Sequence, residues 1–386
     1  MQKLSLPRAF EPEFYRETYP HLPQLTDAES LEHYRTEGIR SGHTGSPAAE
    51  RGHLLSSAHT EGSILEIGPF HAPSIVGEHV RYMDVLTTEE LIQAVRKAGH
   101  DTSNVPTIHY VAPKGGFDMV ERKFSAVFSG HCIEHQPDLV RHFQGVSSLL
   151  EDDGRYYIAC PDRRYCFDHY LPETAVVDVL AAYHAKRKVH QPRSFIAQRL
   201  HRAHNDADRH WSGDHGPQPY QSYQNATSEI FDGLPSEDAY HDAHAWQFTP
   251  ASFFQIMSFL HEIGLTDFVI ERVYHTRFGT QEFTAVLRKG EHVFDKDEVY
   301  VDPVPLEDSV SFLKKEKSRA EREIETLKNE IARVQSEAAI LHQENSRIHA
   351  EVARLKNDLG EVLSSRSWAL TRPVRRFITY LGIHRT

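Results

Sequence analysis

The sequence predicts an α/β fold in which a doubly wound, parallel sheet ends in an antiparallel strand and is followed by a long α-helical coiled coil. Over residues 54–160, short β-rich runs alternate with helical stretches, which is typical of parallel βαβ units. Two further β-rich runs, 266–274 and 282–288, are joined by a turn at Gly279 and predict the antiparallel end of the sheet. Beyond residue 306 the pattern changes to apolar residues at heptad spacing.

Length, charge and cysteine content narrow the class of protein. The 386 residues exceed one ordinary domain, so two or more units are expected. With 43 Lys and Arg against 55 Asp and Glu, the formal net charge of −12 argues against nucleic acid as a partner. The chain has no apolar run of about twenty residues and no signal-peptide pattern at its start, so we expect a cytoplasmic protein. Cys132, Cys160 and Cys166 form neither spaced ligand pairs nor a disulfide framework.

Residues 1–45 are rich in aromatic side chains and predict a small helical module at the N-terminus. Asp27 is placed to cap a short helix, and the pattern favours a helical hairpin. Residues 42–52 are rich in glycine and predict a linker to the main domain, which spans 54–290.

The first β-rich run organises the main domain. It ends at Gly68 and Pro69, and a glycine lets the chain turn sharply after a buried strand. In a doubly wound sheet, ligands bind beyond the carboxyl ends of the strands, at such a turn. The second run ends at Asp84, a position from which a carboxylate can accept hydrogen bonds from both ribose hydroxyls. Strands are predicted near 63–67, 80–84, 107–111, 124–129 and 155–160. Helices are predicted near 87–98, opened by the run that starts at Thr87, near 138–150 (closed by Gly154), and from Pro250 to Gly264 with Thr249 as the cap.

Four runs of sequence, taken in order, resemble the motifs of class I S-adenosylmethionine-dependent methyltransferases, which are Rossmann-like enzymes. They are 65–69, Asp84, 124–135 and 157–162, and the likeness covers roughly residues 60 to 290. It is closest to bacterial methyltransferases encoded with surface-polysaccharide (O-antigen or capsule) glycosyltransferases. The family turn often carries two or three glycines, whereas this one has Gly68 alone. That departure argues against a pyrophosphate cofactor such as NAD, which needs closer backbone approach.

The resemblance implies S-adenosyl-L-methionine as the cofactor. Asp84 would bind the ribose, and Val85 would lie against the adenine. The family often has an acid near the end of the third strand, and this sequence has Tyr110 there instead. The residues expected to contact the cofactor are Glu66, Gly68, Pro69, Phe70, His71, Asp84, Val85, Tyr110, Ser129 and His131.

Methyl transfer from a sulfonium is an in-line displacement, so the protein contributes positioning and a base for the acceptor proton. His131, Glu134 and His135 follow the fourth strand directly and are the candidate catalytic residues. By resemblance, Glu134 and His135 begin the next helix and face the acceptor. The spacing His131-x-x-Glu134-His135 also matches a zinc pattern. We assign no metal ligand from the sequence, and whether these residues bind a metal stays open.

Residues 162–245 lack the βα alternation and carry many histidines. An insertion of this length usually has a function, and in this fold it lies on the acceptor side of the sheet. The candidate substrate-binding residues are Asp162, Arg163, Tyr165 and His244. Trp246, shortly after them, is either an aromatic wall for a sugar ring or part of the core.

The heptad region, 306–363, predicts self-association as a parallel dimer or trimer. A helix with an exposed apolar stripe of this length would be insoluble unless it packed against a partner helix. Asn345 occupies a core heptad position, where a buried polar residue fixes the register of the paired helices. The spacing of 3 and 4 is kept throughout Ile324, Leu327, Ile331, Val334, Ala338, Leu341, Asn345, Ile348, Val352, Leu355, Leu359 and Val362.

The tail, residues 364–386, interleaves arginines with aromatic and aliphatic residues and has no acidic residue. This composition suits an anionic membrane surface or an acidic groove on a partner such as a glycosyltransferase. It therefore predicts a peripheral location at the inner face of the membrane.

Together these features predict an enzyme that O-methylates a sugar hydroxyl in surface-polysaccharide biosynthesis. The sugar rests on the resemblance, because a fold does not determine a function. Two alternatives stay open: a non-catalytic scaffold of a glycan assembly complex, and a small-molecule O- or N-methyltransferase.

Overall fold

The computed structural model describes residues 5–22, 24–113, 115–217 and 242–380, with the side chains of 306–323 outside the description. The chain divides into two units, residues 1–306 and 307–386. The strands of the first unit are β1 Ile64–Ile67, β2 Val80–Asp84, β3 Tyr110–Val111, β4 Phe124–Gly130, β5 Leu150–Pro161, β6 Phe268–Tyr274 and β7 Glu282–Lys289. Its described α-helices are α1 Pro12–Thr18, α2 Asp27–His33, α3 Arg51–His59, α4 Thr88–Lys97, α5 Leu139–Leu149, α6 Val176–His184, α7 Pro192–His201, α8 Ala207–Trp211, α9 Pro250–Glu262 and α10 Lys296–Val299.

The seven strands form one sheet in the order β3-β2-β1-β4-β5-β7-β6. β7 runs antiparallel to both of its neighbours, β5 and β6, and the other pairings are parallel. This mixed sheet is the Rossmann-like arrangement that the sequence predicted. Ile67 pairs with Met83 of β2 and with Ser129 of β4, so the carboxyl ends of these three strands lie at one edge.

All four residues of β1 are buried, because helices cover both faces of the sheet. On one face, Phe143 of α5 and Phe253 of α9 belong to a single apolar core. On the other face, Leu54 of α3 and Leu91 of α4 pack in a second core. The alternation of strands and helices thus produces the three layers expected of a doubly wound fold.

Several boundaries differ from the sequence-based prediction. Gly154 does not close α5, because Leu150 already pairs with Phe124 as the first residue of β5. The third strand has only two residues, since the N–H of Ile108 is taken by the Thr88 hydroxyl at 2.9 Å instead of a neighbouring strand. The cap of α4 is as predicted: the Thr87 hydroxyl accepts from the Glu90 N–H.

The N-terminal residues pack tightly against the rest of the first unit. Thr26, rather than Asp27, caps α2, in a reciprocal capping box with Glu29. Residues 42–52 are not a linker. Ser46 and Ala48 are buried, and the Gly45 carbonyl accepts from the N–H of residue 11.

A buried ion network joins β5 to its surroundings. The Arg155 guanidinium donates to both Glu271 oxygens at 2.8 Å and to Glu61 at 3.0 Å, and the Tyr157 hydroxyl also donates to Glu61. Arg155, Glu61 and Glu271 are all buried. Removal of the guanidinium would take the cation from Glu61 and leave Glu271 with the more distant Arg288 guanidinium, 3.8 Å away.

We therefore expect Arg155→Leu to lower the free energy of unfolding by about 3–5 kcal/mol, the usual cost of breaking a buried ion pair on one side. Urea denaturation of the full chain measures it. The matched control is Arg16→Leu, which removes the more exposed pair with Asp27 and should cost less than about 1 kcal/mol. Equal stability of the two variants would show that the buried network contributes no more than a surface pair.

The long helix α11 Leu306–Ser364 begins at the last residue of the first unit, and the second unit continues with α12 Arg366–Leu370 and α13 Arg372–Tyr380. The long helix agrees with the sequence, whereas its pairing into a coiled coil stays a prediction. The large apolar heptad side chains are about half exposed, from 44% at Val352 to 66% at Leu341. Within the described part of the chain, no helix combines the length and apolar composition needed to cross a bilayer. Residues 381–386 of the predicted tail lie outside the described residues.

Candidate functional site

A cleft of about 400 Å³ opens at the edge of the sheet where β1, β2 and β4 end. Its volume is within the range of small-molecule and cofactor sites. Six of the predicted site residues line it: Gly68 and Phe70 after β1, Asp84 and Val85 at the end of β2, and His131 and His135 after β4.

The turn after β1 is held by its own backbone and by Glu66. Gly68 has φ +69°, which favours glycine, and its N–H donates to the Met83 carbonyl of β2 at 2.9 Å. The buried Glu66 carboxylate accepts from the N–H groups of Ser74 and Ile75 at 2.7 and 3.1 Å. Burial raises the pKa of Glu66, and these two bonds oppose the rise. Glu66 therefore shapes the turn and does not line the cleft.

Asp84 presents a carboxylate to the cleft. One of its oxygens accepts from the Leu86 N–H at 3.0 Å, which orients the side chain at the start of the turn. Burial raises the pKa of Asp84, and hydrogen bonds from the backbone of Leu86 and Val85 limit that rise. Ala112 and Phe117, which follow β3, supply an apolar wall that sequence reasoning missed.

Four of the predicted cofactor contacts, in addition to Glu66, lie beside or beneath the cleft. Pro69 and His71 belong to the turn without lining the cleft, and the His71 ring stacks on His100. Tyr110 is half-buried in β3 and also does not line it. The Ser129 hydroxyl is buried and hydrogen-bonds to the Tyr156 hydroxyl at 2.7 Å, in the core below.

Histidine and carboxylate pairs gather beyond β4. His131 donates from Nε2 to Glu282 at 2.8 Å, and Nδ1 of His135 lies 2.7 Å from Oδ1 of Asp242. His244 donates from Nδ1 to Asp168 at 2.6 Å, and its ring lies edge-on to that of His135, with 4.5 Å between centroids. Three imidazoles are thus each oriented by a carboxylate.

Glu134 lies among these histidines with its side chain 1% exposed. Its Oε1 is 3.6 Å from Nε2 of His135 and 3.9 Å from Nδ1 of His131, which are too long for hydrogen bonds. Among the described residues, neither carboxylate oxygen of Glu134 has a hydrogen-bond partner. A buried carboxylate in this state is energetically costly unless something else pairs with it.

Glu134 and His135 do not begin the next helix, contrary to the prediction. They form a 3₁₀ turn, Ile133–His135, and α5 begins at Leu139. The physical reason is Pro137: the residue before a proline is driven out of the helical region, and Gln136 is extended with ψ 123°.

The negative charge around His135 is large enough to affect its protonation. Burial alone would lower the pKa of His135, but the hydrogen bond to Asp242 and the charges of Glu134, Asp242 and Asp168 outweigh it and raise that pKa. This part of the cleft wall therefore attracts positive charge.

The predicted substrate residues near β5 are engaged in holding the insertion. Asp162 is fully buried and accepts from Arg164 and from the Thr276 hydroxyl. Arg163 donates to the Leu171 carbonyl, and Tyr165 stacks on Trp211 at 3.8 Å. None of these three side chains lines the cleft, and His244 reaches it through its ring contact with His135.

Trp246 belongs to the core. Its side chain is buried, and its indole N–H donates to the Gln136 carbonyl at 2.6 Å. Residues 218–241, part of the predicted acceptor-side insertion, lie outside the described residues.

No known protein family matches this sequence, and no curated protein is significantly similar to it. Solved structures are similar in fold. The CcbJ methyltransferase from Streptomyces caelestis is 14% identical and aligns over 64% of this chain and 90% of its own, with a TM-score of 0.33. An S-adenosylmethionine-dependent methyltransferase from Aquifex aeolicus is 11% identical over 69% of this chain and 100% of its own (TM-score 0.31). One from Mesorhizobium loti is 15% identical over 62% and 98% (TM-score 0.31).

These neighbours share one activity. They are methyltransferases, and two of them are S-adenosylmethionine-dependent by name. Other solved structures similar to this chain contain bound S-adenosylmethionine or sinefungin. At these low identities the likeness concerns the fold, so the function of this chain is argued below from its own cleft.

Proposed function

We propose that this protein is an S-adenosylmethionine-dependent methyltransferase that O-methylates a sugar hydroxyl in surface-polysaccharide biosynthesis. The observation that carries the enzyme assignment is the shared cleft: Gly68, Asp84 and the histidines after β4 come from three different strand ends and line one cavity. In doubly wound sheets this edge is where nucleoside cofactors bind.

The residues of the cleft fit the cofactor. The Asp84 carboxylate is an acceptor for ribose hydroxyls, and Val85 with Ala112 and Phe117 offers apolar surface to an adenine. The Gly68 turn leaves space on the methionine side, since among the described residues a Cβ there would come within 4 Å of the Cys132 sulfur alone, at 3.9 Å. When bound, S-adenosylmethionine supplies an electrophilic methyl group on a sulfonium.

The acceptor side is polar, which supports a hydroxylated acceptor. His131, His135 and Asp242 form one wall with Glu134 next to it, and this wall is where the acceptor hydroxyl would lose its proton. A site for a lipophilic small-molecule acceptor would have apolar side chains on this wall instead of histidines and carboxylates. The assignment to a sugar of surface polysaccharide is supported by the sequence resemblance.

The second unit supports a role in assembly. The exposed apolar stripe of α11 suits a parallel dimer or trimer, which would bring several catalytic units together. In the tail, Arg375 lies over the Trp368 ring, while Val374 and Phe377 are exposed beside the arginines. We infer that the tail binds the anionic inner face of the membrane or an acidic surface of a glycosyltransferase.

His135→Ala tests the acceptor wall. We expect it to lower the rate of methyl transfer by about 10²–10⁴-fold, the usual contribution of proton transfer, with S-adenosylmethionine affinity unchanged. The measurement is transfer of a labelled methyl group to nucleotide sugars and glycan fragments, with calorimetry for the cofactor. His53→Ala, an exposed histidine of α3, is the matched control. If His135→Ala kept the full rate, this histidine would have no part in the reaction.

A further inference from the structure

We propose that Glu134, His135 and His244 form a binding site for a divalent transition-metal ion, with Zn²⁺ the best match, on the acceptor side of the cleft. One ligand atom from each residue lies within 4.8 Å of the others. The sequence alone offered only the spacing of residues 131–135. The structure adds His244, from a segment more than a hundred residues later. It also shows that the Glu134 carboxylate is buried without a hydrogen-bond partner among the described residues.

The first argument is the Glu134 carboxylate. It is 1% exposed, and among the described residues neither oxygen has a hydrogen-bond partner. An isolated buried carboxylate costs several kcal/mol or more unless it is neutralised or paired. A cation bound to Glu134 would remove this cost.

The second argument is the orientation of the two imidazoles. Oδ1 of Asp242 lies 2.7 Å from Nδ1 of His135, and Asp168 accepts from Nδ1 of His244 at 2.6 Å. A carboxylate beside Nδ1 favours the tautomer with the proton on that nitrogen, which leaves the lone pair on Nε2. Metal-binding histidines have this outer partner, which orients the ring and increases its basicity.

The third argument is the spacing of the ligand atoms. Nε2 of His135 and Oε1 of Glu134 are 3.6 Å apart, which is longer than a hydrogen bond. Around a tetrahedral ion with metal–ligand bonds of about 2.1 Å, neighbouring ligand atoms are about 3.4 Å apart. The observed separation therefore suits two ligands of one ion better than a direct contact between them.

The donor set also indicates which ion would bind. Two imidazoles and one carboxylate are the protein ligands of zinc sites that keep an open fourth position. His135 lines the cleft, so the open position would face an acceptor hydroxyl or a water molecule there. A bound Zn²⁺ lowers the pKa of a water ligand to about 7, and by the same Lewis acidity it would favour deprotonation of an acceptor hydroxyl bound there.

A second histidine cluster, His169, His210 and His215, is less suitable. Nδ1 of His210 and Nδ1 of His215 are 3.0 Å apart, the distance of a direct N–H···N hydrogen bond. The His169 and His215 rings stack at 3.7 Å. This cluster contains no carboxylate, and its rings already hydrogen-bond and stack with one another. His215→Ala is therefore a control that tests which of the two histidine clusters binds the ion.

The test is metal binding by the full-length protein after removal of metals with a chelator. We expect one Zn²⁺ per chain in competition with a chromophoric chelator, and Co²⁺ should give visible absorption bands of a tetrahedral site. Glu134→Gln, which is nearly isosteric, and His244→Ala should each weaken Zn²⁺ binding more than about 100-fold. Asp168→Asn should weaken it about 10–100-fold without changing the stoichiometry, as expected of an outer partner.

The controls distinguish this site from the second histidine cluster and from a loss of folding. His215→Ala should bind Zn²⁺ as the unmodified protein does, and thermal unfolding checks that each variant is folded. Binding of less than one ion per chain, or unchanged affinity in both Glu134→Gln and His244→Ala, would overturn the proposal, as would loss of binding only in His215→Ala. Calorimetry with S-adenosylmethionine on the same samples tests the methyltransferase assignment separately, so the two proposals can fail independently.

Discussion

Replacing Asp84 with alanine is expected to weaken S-adenosylmethionine binding more than tenfold. Asp84 ends β2 in the cleft, and one of its oxygens is already oriented by the Leu86 N–H. Hydrogen bonds to a charged group contribute about 1.5–3 kcal/mol, which corresponds to about 10- to 150-fold in affinity. Isothermal titration calorimetry with the full-length protein measures the change.

The matched control is Glu89→Ala. Glu89 is an exposed acid in the first turn of α4, only five residues from Asp84, and it does not line the cleft. Its removal changes the net charge in the same way and should leave cofactor affinity within a factor of about two, because surface charge alone contributes little. Equal affinities of the two variants would remove the ribose assignment of Asp84. Failure of the unmodified protein to bind the cofactor would favour the non-catalytic scaffold.

Disruption of the heptad stripe is expected to convert the protein from a dimer or trimer to a monomer. Leu341 occupies a core heptad position and is 66% exposed in the single chain. Leu341→Lys would place one ammonium group per chain in the apolar interface between the paired helices. Burial of an unpaired ammonium is strongly unfavourable, so the helices would separate. Light scattering coupled to size exclusion should show a mass of one chain.

A chain truncated after Pro305 should also be monomeric and keep measurable methyl transfer.

Gln343→Lys is the matched control for the stripe, since it adds the same charge two residues away on the outer face of the predicted heptad. It should keep the mass of the unmodified protein. If the chain truncated after Pro305 stayed oligomeric, association would have to come from the remaining residues, and the long helix would lose its proposed role.

Much of the fold could be predicted because its signals are local. The apolar run before Gly68, the turn itself and the acid at the end of β2 lie within about twenty residues, and the strand and turn propensities of such a segment act over a few residues. The Thr87 and Thr249 caps were also predicted, since a cap and the N–H groups it accepts are three residues apart. The heptad spacing likewise predicts a continuous helix from side-chain periodicity alone.

The errors arose where a local signal competed with a tertiary contact. The N–H of Ile108 was expected in a strand ladder and bonds to Thr88 instead. Asp162 and Arg163 stay predicted substrate residues, but their present partners follow from tertiary packing. Asp162 accepts from Thr276, more than a hundred residues later in the chain.

By itself, the sequence determined the order of strands and helices along the chain, the turn and carboxylate of the proposed cofactor side, and the long helix with its apolar stripe. Only the tertiary structure decided the proposed acceptor side. His131 meets Glu282 of β7, and His244 meets Asp168, across separations of 151 and 76 residues. The physical reason is that propensity and periodicity act between near neighbours, whereas the partner of a buried charge is whichever residue the packing of distant strands brings within hydrogen-bond distance.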